Sequence, residues 1–132
     1  DKLWSDFPEI KEWQDNILKI YNKKRYVEIP PGRRRHAPLT VNEILNSGVQ
    51  GGAASIVSKV MNKIRKMGYW IMLNVHDELV FCIREMDVKY AVEEIRTVME
   101  TKQYDFMGDT QLVVEGSIGY DWYHTFKIGE IL

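Results

Sequence analysis

One stretch constrains this chain more than any other: Ile71-Met72-Leu73-Asn74-Val75-His76-Asp77-Glu78-Leu79-Val80-Phe81-Cys82-Ile83. Two apolar, β-prone runs flank a short polar break that holds an imidazole and two carboxylates. Such a pattern predicts a tight antiparallel hairpin over residues 70–84, with residues 70–74 facing 79–84 and Asp77 at the tip. An oxygen ligand at a hairpin tip can reach a hard cation. Mg²⁺ takes oxygen donors in octahedral geometry, typically one or two carboxylates completed by substrate phosphates and waters. Asp77 fits that role, with Glu78 as a weaker or supporting ligand. Asp and Glu are also ordinary turn residues, and His76 could be a half-buried packing residue, so the triplet alone leaves both readings open.

The rest of the chain narrows the choice of partner for such a site. At 132 residues and 45% hydrophobic, it is long enough for one packed core and short for two. No run approaches the roughly 18 apolar residues of a membrane span, and Asp1-Lys2-Leu3-Trp4 does not read as a signal peptide. The missing initiator Met suggests a fragment, a processed product or a piece of an assembly. Cys82 is the single cysteine, which excludes a disulfide framework and a cysteine-based zinc site and makes a reducing, intracellular setting the default. A net charge of −1 argues against wrapping nucleic acid by bulk charge. Any nucleic-acid contact must be local, and Arg33-Arg34-Arg35-His36 is the obvious basic cluster.

Helical spacing recurs at Ile10, Trp13, Ile17, Ile20 and Tyr21, predicting a first helix that starts near Ser5 or Asp6 with Pro8 in its first turn. Tyr26–Ile29 reads as a short strand ended by Pro30-Pro31-Gly32. Thr40-Val41-Asn42-Glu43 is a capping box. Gly48, Gly51 and Gly52 interrupt the helical pattern beyond it and suggest close backbone approach. From Ala53 onward Ile56, Val57, Val60, Met61 and Ile64 line one side, and Gly68 is a natural stop. Asp87 is expected to cap a helix with an apolar face of Val88, Ala91, Val92, Ile95, Val98 and Met99. Leu112–Ile118 reads as a last strand; the aromatic tail from Tyr120 onward has no clear assignment. Strands joined by a tight hairpin and mixed with long helices predict an α+β fold with an antiparallel sheet.

Two further clusters could carry chemistry. In Asn46-Ser47-Gly48-Val49-Gln50-Gly51-Gly52-Ala53-Ala54-Ser55, the amides of Asn46 and Gln50 lie four apart on one helical face and could reach base edges in a groove; a small-residue helix crossing explains the glycines equally. Arg33–Arg35 could bind phosphate bidentately or form a solvated loop tip. Nothing supports a nucleophile–His pair, a P-loop or a zinc site.

These pieces occur in a recognisable order. The chain resembles the C-terminal part of the polymerase domain of family A DNA polymerases, the group that includes bacterial DNA polymerase I and many phage replicases. Val75-His76-Asp77-Glu78-Leu79-Val80-Phe81 looks like that family's third palm motif. Gln50-Gly51-Gly52-Ala53-Ala54-Ser55-Ile56-Val57 is similar to its Q-G-T-A-A-D-I-I stretch, and Tyr26-Val27-Glu28 with Gly32-Arg33-Arg34 resembles its Y-V-E-T-x-x-G-R-R hairpin. Gly119-Tyr120-Asp121-Trp122 resembles its closing G-x-x-W. The resemblance implies that residues 1–39 are a helix and hairpin of the fingers region and residues 40–132 belong to the palm, an antiparallel sheet with helices packed on it. It implies Asp77 as a metal-binding catalytic carboxylate, Glu78 as a supporting acid near the metals, and His76 beside the primer 3′ end. Gln50 and Asn46 would face the minor groove of the new duplex, and Arg33 and Arg34 could touch DNA. Asn42 stands where bacterial members usually carry an arginine that approaches DNA. Gly52 and Ser55 replace the usual Thr and Asp, which is expected to loosen the helix there.

The family's D-x-S-x-x-E-L-R motif, with its other catalytic aspartate, and its R-x-x-x-K-x-x-x-F-x-x-Y-G fingers helix are absent from the chain. Two-metal phosphoryl transfer needs ligands on both ions, about 4 Å apart, and charge stabilisation on the triphosphate. The resemblance therefore implies a split or cut DNA polymerase, inactive alone, acting on primer-template DNA and dNTP with two Mg²⁺ ions shared with a second polypeptide, in the cytoplasm of a bacterial or phage-infected cell or in an organelle. The alternatives are a non-catalytic polymerase remnant acting as a DNA-binding or assembly module, and a stand-alone nuclease using Asp105, Asp109 or Glu115.

Overall fold

The computed structural model describes residues 2–131 and shows a mixed α+β chain that packs as two compact units, the first ending at Val57 and the second beginning at Ser58. In the first unit a short helix α1 (Lys2–Asp6) precedes helix α2 (Pro8–Lys24), and Pro8 occupies the first helical position where its missing N–H costs nothing. The start thus lies at Pro8 with Phe7 as its cap, two to three residues later than the sequence pattern places it. Only part of the expected apolar face of α2 is covered. Tyr21 is buried with Val27 and Ile44, and Ile17, Leu18, Ala37 and Leu39 pack around them, while Ile10, Trp13 and Ile20 remain exposed. The Tyr21 hydroxyl is satisfied inside this core by the backbone N–H of Leu39 at 2.8 Å.

Strands β1 (Tyr26–Ile29) and β2 (Arg33–His36) form an antiparallel hairpin in which Val27 faces Arg35 and Ile29 faces Arg33. The turn needs Gly32, whose φ of 129° suits no L side chain well. Helix α3 (Val41–Lys66) then runs without a break through Gly48, Gly51 and Gly52, so neither the glycines nor the Gly52 and Ser55 replacements interrupt it. Its start is the expected capping box: Glu43 N–H donates to Thr40 Oγ1 at 3.3 Å, and Thr40 N–H donates to Glu43 Oε2 at 2.9 Å. The Thr40 N–H, and after it the Thr40 hydroxyl donating to the same oxygen at 2.8 Å, hold the Glu43 carboxyl below the usual carboxylate range. A depressed folded pKa stabilises above the ordinary value near 4.5, and that stabilisation is lost as pH falls through the lowered pKa. Thr40→Ala should cost about 1 kcal/mol in a denaturant titration and blunt the acid dependence of unfolding that Glu43 produces.

In the second unit Gly68, with φ of 95°, ends α3. Strands β3 (Ile71–Val75) and β4 (Glu78–Phe81) pair antiparallel with a bulge between Ile71 and Leu73. Helix α4 (Val88–Glu100) buries Ala91 and Ile95 and half-buries Val88, Val92, Val98 and Met99, the predicted face. Asp87 stands at its N-cap position without capping it. Its carboxylate accepts from Arg84 Nε at 2.7 Å, and its own backbone is helical, because a 3₁₀ turn (Glu85–Asp87) leads directly into the helix. Glu94 on α4 accepts from the hydroxyls of Tyr69, at 2.5 Å, and Tyr90, at 2.8 Å, and this pushes the Tyr69 phenol up to about 12.

The last expected strand is shorter and later than its pattern. Leu112–Gly116 makes no ladder; β5 (Ser117–Gly119) pairs with β6 (Thr125–Lys127) in the unassigned tail, followed by a short helix α5 (Ile128–Ile131). Among the described residues the strands form three separate two-stranded ribbons and not one sheet. No described helix is long and apolar enough to cross a membrane.

Candidate nucleotidyl-transfer hairpin

The β3–β4 hairpin closes through the two residues His76 and Asp77, since Val75 pairs directly with Glu78. His76 has φ of 57°, in the left-handed region, and Asp77 is not in that region. A non-glycine there is strained by about 1–3 kcal/mol, although His tolerates it better than most residues. The strain places Asp77 at the tip with Glu78 opening the return strand. On the opposite strand, Asn74 Nδ2 donates to Met61 Sδ of α3 at 3.3 Å, which ties the hairpin to the helix.

His76, Asp77 and Glu78 are all exposed. None of their side chains has a hydrogen-bond or ion-pair partner among the described residues, whereas those of Asp87, Glu94, Glu100 and Asp121 are all engaged. A turn built only to reverse the chain has no need of three unpaired polar groups in succession. The donor set is nonetheless incomplete: no three His, Cys, Asp or Glu side chains converge on a metal-sized site among the described residues. Asp77 and Glu78 therefore fit the one or two carboxylates of a Mg²⁺ site whose other donors come from elsewhere. The same finding removes the support for a stand-alone nuclease built from Asp105, Asp109 and Glu115.

Asn46 and Gln50 both lie exposed on α3, one turn apart as the spacing requires. The arginines divide. Arg34 lies over the Tyr26 ring at 4.6 Å. Arg33 Nη2 donates to Gly51 O at 3.3 Å and Ser55 Oγ at 3.1 Å, while Arg35 pairs with Glu43 at 2.5 Å and reaches Ser47 Oγ at 3.4 Å. The basic cluster is thus no loop tip but the exposed strand β2, with two of its three guanidiniums bonded to α3. Sequence reasoning missed Glu43, Ser47 and Ser55 as their acceptors. The available signal was their four-residue spacing with Gly51, which makes one stripe along a helix.

Comparison with known proteins assigns the architecture. The model of DNA polymerase family A matches residues 1–124, and the chain belongs to that family. It is 30% identical over 92% of its length to the thermostable DNA polymerase I of Thermus thermophilus and 28% identical over 92% to that of Thermus filiformis, in each case spanning 16% of the relative. DNA polymerase I of Rhizobium leguminosarum is 31% identical over 75% of this chain and 12% of that protein. Among solved structures, the POL domain of Pol1 from M. smegmatis, in complex with DNA primer-template and dNTP, superposes with a TM-score of 0.61 at 26% identity, covering 74% of this chain and 20% of that one. The chain is a DNA polymerase segment that spans about one sixth of the curated relatives it matches.

Proposed function

We propose that the chain is the C-terminal part or subunit of a split or cut family A DNA polymerase and supplies one half of a two-metal centre for template-directed nucleotidyl transfer. The observation that carries this reading is the tip of the β3–β4 hairpin, where Asp77 and Glu78 stand exposed and unpaired. Asp77 is the catalytic metal-binding carboxylate, Glu78 the supporting acid, and His76 lies by the primer 3′ end. Gln50 and Asn46 face the minor groove of the nascent duplex and Arg34 contacts DNA, while Arg33, bonded to Gly51 and Ser55 of α3, acts from behind the helix. Residues 1–39 serve as a fingers segment and residues 40–132 as palm. Asp77 and Glu78, completed by donors of the partner, would hold Mg²⁺, which would supply the charge stabilisation that phosphoryl transfer needs. Asp77 and Glu78 hold their charge at a fixed point because a two-residue turn leaves little freedom to the backbone. The working location is the cytoplasm of a bacterial or phage-infected cell, and the substrates are primer-template DNA and dNTP.

Exposed apolar surface supports the need for a second polypeptide. Trp70 is 75% exposed, Met72 55%, Leu73 45% and Val75 40%, so the hairpin presents large side chains to solvent on both of its faces. An isolated two-stranded ribbon is marginal in water, and a contiguous apolar patch marks a binding surface. Mixing the chain with a polypeptide that bears the D-x-S-x-x-E-L-R motif and the fingers helix should yield a stable complex that extends a primer, with more than about 2,000 Å² buried in total as obligate partners require. Gel filtration and primer extension measure the two outcomes. A chain that stays monomeric beside that polypeptide, with no extension, would overturn the split reading.

A further inference from the structure

We infer that the β1–β2 hairpin is a clamp that sets the position of the Gln50 turn of α3, with Arg33 as its positioning residue and Ser55 as its buried anchor; this rests on the assignment of Gln50 to DNA binding. Residues two apart on a strand share a face. Arg33 and Arg35 both reach α3, while Arg34, between them, lies over the ring of Tyr26. On the helix their acceptors Glu43, Ser47, Gly51 and Ser55 recur every four residues and form one stripe. Asn46 and Gln50 each precede a member of that stripe by one residue, about 100° around the helix, so they flank the gripped face and stay exposed.

Three further contacts fix the grip at Gln50. Ser55 Oγ, in a residue only 7% exposed, lies 2.9 Å from Pro30 O and 2.8 Å from Gly51 O, joining the turn of the hairpin to the helix. One guanidinium nitrogen of Arg33 bridges that hydroxyl and the Gly51 carbonyl. Gly51, next to Gln50, lets Ile29 of β1 approach so closely that a Cβ there would overlap Ile29 Cγ2. The Ser55 hydroxyl and the Gly51 carbonyl both accept from Arg33, so the arginine is held by neutral oxygens. The hydroxyl has no way to touch DNA, so any effect of Ser55 on DNA binding runs through the helix.

Backbone hydrogen exchange on the full chain tests the clamp without a ligand. Arg33→Gln should speed exchange of the amides of Gln50–Ser55 at least about fivefold while those of α2 keep their wild-type rates; Ser55→Ala should do the same more weakly. Unchanged exchange in both variants, or a uniform rise that includes α2, overturns the inference. Binding to a primer-template duplex supplies the second measurement. Removing a phosphate contact lowers the slope of log affinity against log salt by about 0.9, so Arg34→Gln should flatten the slope. Arg33→Gln and Ser55→Ala should weaken binding about five- to tenfold with the slope unchanged, and neither should weaken it further in a Gln50→Ala background. A slope that falls by about 0.9 in Arg33→Gln makes that arginine a phosphate contact and overturns its positioning role. Wild-type affinity in Gln50→Ala removes the DNA-binding assignment of Gln50 itself, while the exchange rates still decide whether the clamp exists.

Discussion

Asp77→Asn, placed in the complete polymerase, should lower nucleotide incorporation by about a thousandfold or more and leave folding and assembly unchanged, if Asp77 is the proposed metal-binding carboxylate. The size follows from what a metal-held charge contributes to phosphoryl transfer, several kcal/mol, at about 1.4 kcal/mol per factor of ten in rate. The amide keeps the shape of the side chain and removes the negative charge that binds a hard cation. The absence of a folding penalty has its own basis. Asp77 is exposed and has no intramolecular partner among the described residues, so replacing it breaks no hydrogen bond and opens no cavity. Surface changes of this kind stay within about 0.5 kcal/mol. Single-turnover primer extension gives the rate, and a denaturant titration of the isolated chain gives the stability. Near-normal incorporation removes Asp77 from the catalytic centre and favours a non-catalytic remnant. A large loss of stability would show instead that the carboxylate supports the turn. Glu78→Gln is expected to be milder, since Glu78 opens a strand opposite Val75 and is proposed only as the supporting donor.

What could be read from the sequence was local. The capping box at Thr40 and Glu43 depends on residues three apart, and both of its reciprocal bonds form. The β3–β4 hairpin was legible because two apolar runs bracket a two-residue break, and Asp77 does lie at its tip. Tertiary partners were not legible. Arg33 and Arg35 read as a phosphate-binding or solvated cluster because nothing in the sequence says that β2 lies along α3. Asp87 has the right identity and position for an N-cap, yet Arg84 takes its carboxylate. Leu112–Ile118 has the alternation of a strand, but a ladder needs a partner, and among the described residues only Ser117–Gly119 finds one. A chain covering 16% of its relatives leaves such edges open to neighbours outside it. The site divides the same way: the types and order of its residues are written in the chain, while no third metal-ligating side chain joins Asp77 and Glu78 among the described residues.

The glycines of α3 offer the sharpest test of the packing that carries Gln50. The sequence pattern treats Gly48 and Gly51 alike, as helix-weakening residues that invite close approach. The structure separates them: a Cβ at Gly48 meets nothing within 4 Å, while one at Gly51 overlaps the branched side chain of Ile29 on β1. Either substitution by Ala gains about 1 kcal/mol of helix propensity. At Gly51 that gain is opposed by overpacking, which typically costs about 1–3 kcal/mol, and Ile29 is β-branched and held in the β1 ladder opposite Arg33, so it has little room to yield. Gly48→Ala should therefore stabilise the chain by up to about 1 kcal/mol, and Gly51→Ala should be less stable than Gly48→Ala by about 1–3 kcal/mol. Propensity is common to both variants, so their difference in urea midpoint, at constant slope, reads the overlap alone. If Gly51→Ala proved as stable as Gly48→Ala, β1 would not lie against α3 at that point. The functional consequence separates the two as well. Gly51→Ala pushes the hairpin away from the helix beside Gln50 and should weaken primer-template binding, whereas Gly48→Ala, in open space one turn earlier, should bind as the wild type does.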